Sequence, residues 1–185
     1  MIAAKHLSTG ELEAGLDEIR RSPKDAGVVN LIVRRVEREE REVLTEGQLD
    51  PVEGLVGDNW RSRGSSSRAD GSANPDAQLT IMNSRAIALF AQHEDRWQLA
   101  GDQLFIDMDL SVENLPPGTQ LEIGTAVVEV SALPHTGCKK FVARYGMDAM
   151  LFVNSPLGKE LRLRGVNTRV VQPGVVRVGD VARKR

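Results

Sequence analysis

A second cysteine is missing. Cys138 stands alone in 185 residues, so no internal disulfide can form. A lone thiol is most simply kept reduced in the cytoplasm, which is the expected compartment. Aromatic side chains are also scarce, at 4% of the chain, and they are not interleaved with the basic residues. A base-stacking platform is therefore hard to build, and nucleic acid is not an expected partner. No window approaches the roughly eighteen consecutive apolar residues of a membrane-spanning helix, so no membrane partner is expected either. The start, Met1 to Gly10, lacks a basic region followed by an apolar run, so no secretory signal is expected.

Other absences narrow the chemistry. The three histidines, His6, His93 and His135, are scattered, which leaves no zinc-type spacing. A metal would have to arrive with a cofactor, and a single thiolate could then complete its coordination. There is no glycine-rich dinucleotide fingerprint, no phosphate-binding loop of the nucleotide triphosphatases and no nucleophile elbow. Gly64-Ser65-Ser66-Ser67 is loop composition.

What is present begins with an uneven charge. The net charge of −2 divides into −10 over residues 1–137 and +8 over residues 138–185. A basic final quarter that starts at the cysteine points to an anionic ligand beside it. The alternative is that the basic quarter pairs with the acidic part across the fold.

Secondary structure follows from spacing and punctuation. Leu12, Leu16 and Ile19 share a helical face between Ser8 and Arg21, with Ser8 or Thr9 as cap and Pro23 beyond. Residues 28–36 are rich in β-branched side chains and largely apolar, as a strand requires. Residues 37–42 form a charged turn, and residues 43–49 are expected to form one short strand. Gly54 and Gly57 mark a committed turn. Residues 61–77 hold almost no large apolar side chain and read as a long polar loop. Further strands are expected at 78–83, 104–108, 120–123, 126–130 and 175–178, with helices at 85–93, 141–145 and 148–152. Ser84 is the expected cap of the first of these. Roughly eight short strands with glycine-rich turns predict a mainly β chain. The expectation is a barrel of short, mostly antiparallel strands with a few short helices, covering residues 28–185 after a helical extension at 1–27.

The residues best suited to chemistry lie around the lone thiol. Gly137 permits a tight turn or close backbone approach. Lys139 and Lys140 put positive charge beside Cys138, which favours the thiolate. His135 lies three residues upstream and can serve as partner or proton relay. The alternative is a free cysteine acting as a small core hydrophobe. Arg85 opens a helix after the strand that ends at Asn83, and Arg162, Arg164 and Arg169 flank Gly165. Arginine forks suit oxyanion acceptors. Asp58, Asp102 and Asp180 each follow a glycine and read as turn residues.

Several of these segments occur together in a known order. Gly54-Leu55-Val56-Gly57-Asp58, Gln78 to Met82, Gly101-Asp102, Leu115 to Gly118, His135 to Cys138, Arg164-Gly165-Val166 and Gly174 to Asp180 resemble MOSC domains, named after the C-terminal part of molybdenum cofactor sulfurase. The resemblance spans residues 28–182. It implies a β-barrel and a family cysteine at Cys138 that carries sulfur as a persulfide or ligates molybdenum through the molybdenum cofactor (molybdopterin). It also implies a pocket of basic and amide side chains: Asn83, Arg85, Lys139, Lys140, Arg164, Asn167 and Arg169.

Pyridoxal phosphate binding enters only at the level of the family, through a desulfurase domain for which this chain has no room. Sulfur would then come from a partner such as a cysteine desulfurase. Two other readings remain beside the sulfur carrier or cofactor-binding protein. One is a molybdenum-dependent reductase of N-hydroxylated compounds; the other is a non-catalytic module that binds an anionic metabolite.

Overall fold

The computed structural model describes residues 5–37 and 39–185. The first four residues of the extension and Arg38 of the charged turn lie outside the described residues.

The expected first helix forms as two pieces, α1 (Thr9–Ala14) and α2 (Leu16–Arg20). Ser8 and Glu11 make a reciprocal cap, in which the Ser8 N–H donates to the Glu11 carboxylate at 2.8 Å. Gly15 breaks the helix where Leu89 packs against it. A Cβ there would sit 2.6 Å from Leu89 Cδ1.

Eleven strands are present among the described residues: β1 (Gly27–Arg34), β2 (Glu42–Leu44), β3 (Glu46–Asp50), β4 (Gly54–Leu55), β5 (Leu79–Asn83), β6 (Leu104–Asp107), β7 (Gln120–Ile123), β8 (Ala126–Val130), β9 (Val166–Gln172), β10 (Gly174–Arg177) and β11 (Val181–Lys184). The main sheet runs β11-β7-β8-β9-β5-β6-β1-β2, and β11 also pairs with β1. That pairing, with Gly27 opposite Ala182, closes seven strands into a barrel. All its neighbours are antiparallel except β5 and β6, which run parallel. A small second sheet has the order β10-β3-β4.

Two differences from the sequence reading have physical causes. Residues 43–49 form two strands in different sheets rather than one. The break falls at Thr45, whose carbonyl accepts from Val178 N–H at 3.0 Å. Strand β11 is too polar to show a period-two pattern, yet it completes the barrel through backbone pairing.

The central strands β5 and β6 are buried on both faces. Along β5 and β6, Leu79, Ile81, Leu104 and Ile106 point into the barrel core. Met82 and Phe105 point outward into a second core shared with α1 and α2. The same core takes Phe90 of α4 (Ser84–Ala91), Phe141 and Tyr145 of α5 (Lys139–Tyr145), and Phe152 of α6 (Met147–Asn154). A short α7 (Pro156–Glu160) follows.

Residues 61–77 are less open than their composition implies. They begin inside α3 (Trp60–Arg63) and end in a 3-10 turn at Pro75–Ala77. Trp60 is buried and donates from Nε1 to the Asn74 carbonyl at 3.3 Å, which ties both ends of the loop together. Among the described residues, no helix is long and apolar enough to cross a membrane.

Candidate functional site

The segment between β8 and α5 carries His135 and Cys138. Asn154 of α6 holds it with both ends of its amide. The side chain accepts from Gly137 N–H at 2.9 Å and donates to the Gly137 carbonyl at 3.1 Å. Glycine is needed there for close approach, because a Cβ at Gly137 would lie 2.8 Å from Val153 Cγ2. The pinned turn leaves Cys138 exposed at the start of α5.

Behind the thiol is a cavity of about 290 Å³. Its wall includes His135, Cys138, Lys140, Arg164 and Asn167, five of the residues that the sequence singled out. It also includes Arg35, Arg41, Arg63 and Arg144. Six cationic side chains therefore converge on one cavity. Three carboxylates offset them: Asp58, Asp102 and Glu39. With His135 neutral, the cluster retains a net positive charge.

Two of those carboxylates are foundations of the site. Asp102 is fully buried. It accepts from Arg164 Nη1 at 2.6 Å and faces His135 Nε2 at 3.0 Å. Burial pushes its pKa up, but Arg164 and His135 outweigh burial and hold the carboxyl well below the ordinary range. An ionised carboxylate only accepts, so His135 must present its Nε2–H to it, which leaves Nδ1 as a proton acceptor. Burial and the Arg164 cation push the His135 pKa down, so the ring is neutral at pH 7. Asp58 plays the matching role for Arg35. It takes Arg35 Nη2 at 2.6 Å and Nε at 2.9 Å. Its pKa stays below the usual value because these contacts overcome burial.

Arg164 is held on three sides. Besides Asp102, it donates from Nη2 to the Ala100 carbonyl at 3.0 Å and lies over the Phe141 ring at 5.2 Å. Its Nε is buried without a hydrogen-bond partner among the described residues. A buried donor left unpaired is costly, and an anion in the cavity can relieve it. No hydrogen bond joins His135 to Cys138 among the described residues.

The remaining predicted residues lie elsewhere. Asn83, rather than Ser84, caps α4: its side-chain Oδ1 accepts from the Arg85 and Ala86 N–H groups, while Nδ2 donates to Met108 O at 2.7 Å. Arg85 pairs with Asp107 at 2.7 Å and Glu18 at 2.9 Å. Arg169 pairs with Glu129 at 2.6 Å on the outer face of the sheet. Lys139 is exposed and does not line the cavity. Sequence reasoning missed Arg35, Arg41, Arg63 and Arg144. The available signal was the Gly-Asp pairs. Asp58 and Asp102 follow glycines as turn residues do, yet each anchors an arginine of the cavity. Asp180 behaves as read, accepting from Arg177 N–H within its turn.

Residues 68–183 match the family model described as the MOSC domain. Solved structures share the fold. The YuaD protein of Bacillus subtilis superposes with a TM-score of 0.59 at 14% identity, covering 86% of this chain and 97% of its own. YiiM from Escherichia coli gives 0.54 at 20% identity, covering 85% and 69%. YiiM from Geobacillus stearothermophilus gives 0.52 at 14% identity, covering 87% and 73%. No curated protein matches the chain.

Proposed function

Because the chain belongs to the MOSC domain family, associated with molybdenum-cofactor-related sulfur or reductase roles, we propose that it is a sulfur carrier whose Cys138 serves an anionic acceptor held in the cavity behind it. One observation carries the reading: the only thiol of the chain stands exposed at the wall of a cavity lined by six cationic side chains. Exposure lets a partner reach the sulfur, and the cations hold the acceptor within reach.

The chemistry is an exchange without net oxidation. The Cys138 thiolate attacks the terminal sulfur of a donor persulfide. A new S–S bond forms at Cys138, the donor's S–S bond breaks, and the donor cysteine leaves as a thiolate. His135, neutral and with Nδ1 free to accept, can take the Cys138 proton through a bridging water. A cysteine desulfurase is the donor class that fits, since Cys138 cannot generate a persulfide alone.

The cavity residues fit a molybdenum cofactor. The unpartnered Arg164 Nε and the uncompensated cations suit oxyanion and phosphate groups, and Cys138 suits a thiophilic metal. Arg164, Lys140 and Asn167 would hold it, and its metal would supply oxygen-atom and two-electron chemistry. A second reading follows: Cys138 ligates that metal in a reductase of N-hydroxylated compounds. The observation favouring it is the cavity of about 290 Å³ beside the thiol, which a carrier alone does not require.

The test is to incubate the full chain with a cysteine desulfurase and cysteine, then take an intact mass. The carrier reading expects a gain of one sulfur atom, reversed by a reducing thiol and absent from Cys138→Ala. No gain in the wild type refutes it. Molybdenum and pterin in protein purified from a cofactor-producing host would favour the second reading.

A further inference from the structure

Arg162, three residues before Gly165, takes no part in the thiol cavity. It lines a different cavity, of about 250 Å³, together with Lys159 from the last turn of α7. This cavity shares His135 and Asn167 with the first and so adjoins the thiol site. Its wall holds two cations, Arg162 and Lys159, and no carboxylate among the described residues. Arg162 gives Nη1 to the Leu115 carbonyl at 2.5 Å and to the Leu110 carbonyl at 3.5 Å. Its Nε and Nη2 donate to nothing among the described residues. Burial pushes its pKa down, and no charged neighbour offsets this. The Arg162 backbone also lies in the left-handed region, at φ 48°, where glycine is the unstrained choice. The chain therefore carries this cation at a conformational cost.

The rest of the wall is apolar or already hydrogen-bonded. Ser131 Oγ donates to Asp76 O at 2.7 Å, and Asn167 Nδ2 donates to Leu133 O at 3.1 Å. Val112 and Leu133 line the cavity, yet they are 45% and 38% exposed. A ligand seated there would cover apolar surface that the fold leaves open.

These groups select a molecule with one small anionic end and an apolar body. The unspent Nε–Nη2 edge of a guanidinium matches the two oxygens of a carboxylate. A phosphate or sulfate would leave its further oxygens against aliphatic side chains, which costs desolvation without a hydrogen bond in return. An apolar cavity of about 150 Å³ accommodates benzene, so one of about 250 Å³ takes a single ring with a short carboxylate arm.

We propose that this cavity binds a small single-ring carboxylate, its carboxylate on Arg162 and Lys159 and its ring against Val112 and Leu133. The site is separate from the sulfur chemistry of Cys138.

The full chain is titrated with phenylacetate at neutral pH, and binding is followed by ligand-observed NMR. Saturable binding is expected. Phenylacetamide, which keeps the shape and loses the charge, should bind more weakly by about tenfold or more, the worth of a charge-assisted hydrogen bond. Acetate, which keeps the charge and loses the ring, should also bind more weakly. Arg162→Met should lose as much as phenylacetamide does. Because Arg162 also holds two backbone carbonyls, the exposed changes Lys159→Gln and Leu133→Glu serve as a second test. Each should weaken phenylacetate by about twofold to fivefold, as befits an exposed charge, and leave the urea midpoint in place. Arg41→Ala should leave the affinity unchanged, which separates this cavity from the one behind the thiol. Cys138→Ala should do the same, so this proposal and the carrier reading fail separately. The proposal is overturned by the absence of saturable binding, or by phenylacetamide binding as tightly as phenylacetate. A loss in Arg41→Ala with none in Leu133→Glu overturns it as well.

Discussion

Replacing Asp102 by Asn removes one charge from the centre of the site and changes little else. Asp102 is fully buried and takes two donors on two different oxygens, Arg164 Nη1 at 2.6 Å and His135 Nε2 at 3.0 Å. Asparagine offers one acceptor oxygen where two donors converge. The Arg164 side chain, only 7% exposed, would then hold an uncompensated charge. Breaking a buried pair from one side costs about 3–5 kcal/mol. For a chain of this size each kcal/mol moves the melting temperature by roughly 2–4 °C, so a fall of roughly 6–20 °C is expected. Urea titration should show a lower midpoint with an unchanged slope. Arg164→Met added to Asp102→Asn should recover part of the loss, because no buried charge then lacks a partner. A loss below about 1 kcal/mol, or a double variant worse than the sum of the singles, would refute the reasoning.

Three other outcomes follow from the same geometry. The folded-state pKa of His135 lies below its unfolded value of about 6.5, so the unfolded chain takes up the proton first. Stability should therefore fall as pH drops below about 6.5 and level off below the folded pKa. His135→Gln should flatten that part of a urea-midpoint profile. Asn83→Ala should cost about 2–3 kcal/mol in chemical denaturation, from a lost helix cap and an unpaired Met108 carbonyl, without affecting anion binding. Cys138→Ala should change stability by less than about 0.5 kcal/mol, since the thiol is exposed and caps nothing.

The barrel was legible because its strands are short, β-branched and punctuated by glycine. Leu79 to Asn83 and Leu104 to Asp107 could be read as strands. That they run side by side in parallel could not, because α4 and a 3-10 stretch between them supply the crossover only in three dimensions. The thiol, its histidine and Arg164 were legible from local spacing and charge. Arg35, Arg41 and Arg63 were not. They sit in the acidic part of the chain, where each looks like one half of a surface pair, and only barrel closure turns them toward Cys138. Arg169 shows the opposite case. It lies two residues from Asn167 on the same outward face of the strand, yet beyond the reach of the cavity, where Glu129 meets it.

The central claim is that Cys138 and the cationic cavity act as one site. The direct measurement compares alkylation of Cys138 by negatively charged iodoacetate and neutral iodoacetamide, with a free cysteine peptide as reference. The cavity cations should raise the iodoacetate-to-iodoacetamide rate ratio severalfold over the peptide, and molar salt should abolish the excess. Arg41→Ala with Arg63→Ala should lower it. A ratio equal to that of the peptide at low salt would show that the thiol does not feel the cavity, and would contradict the account.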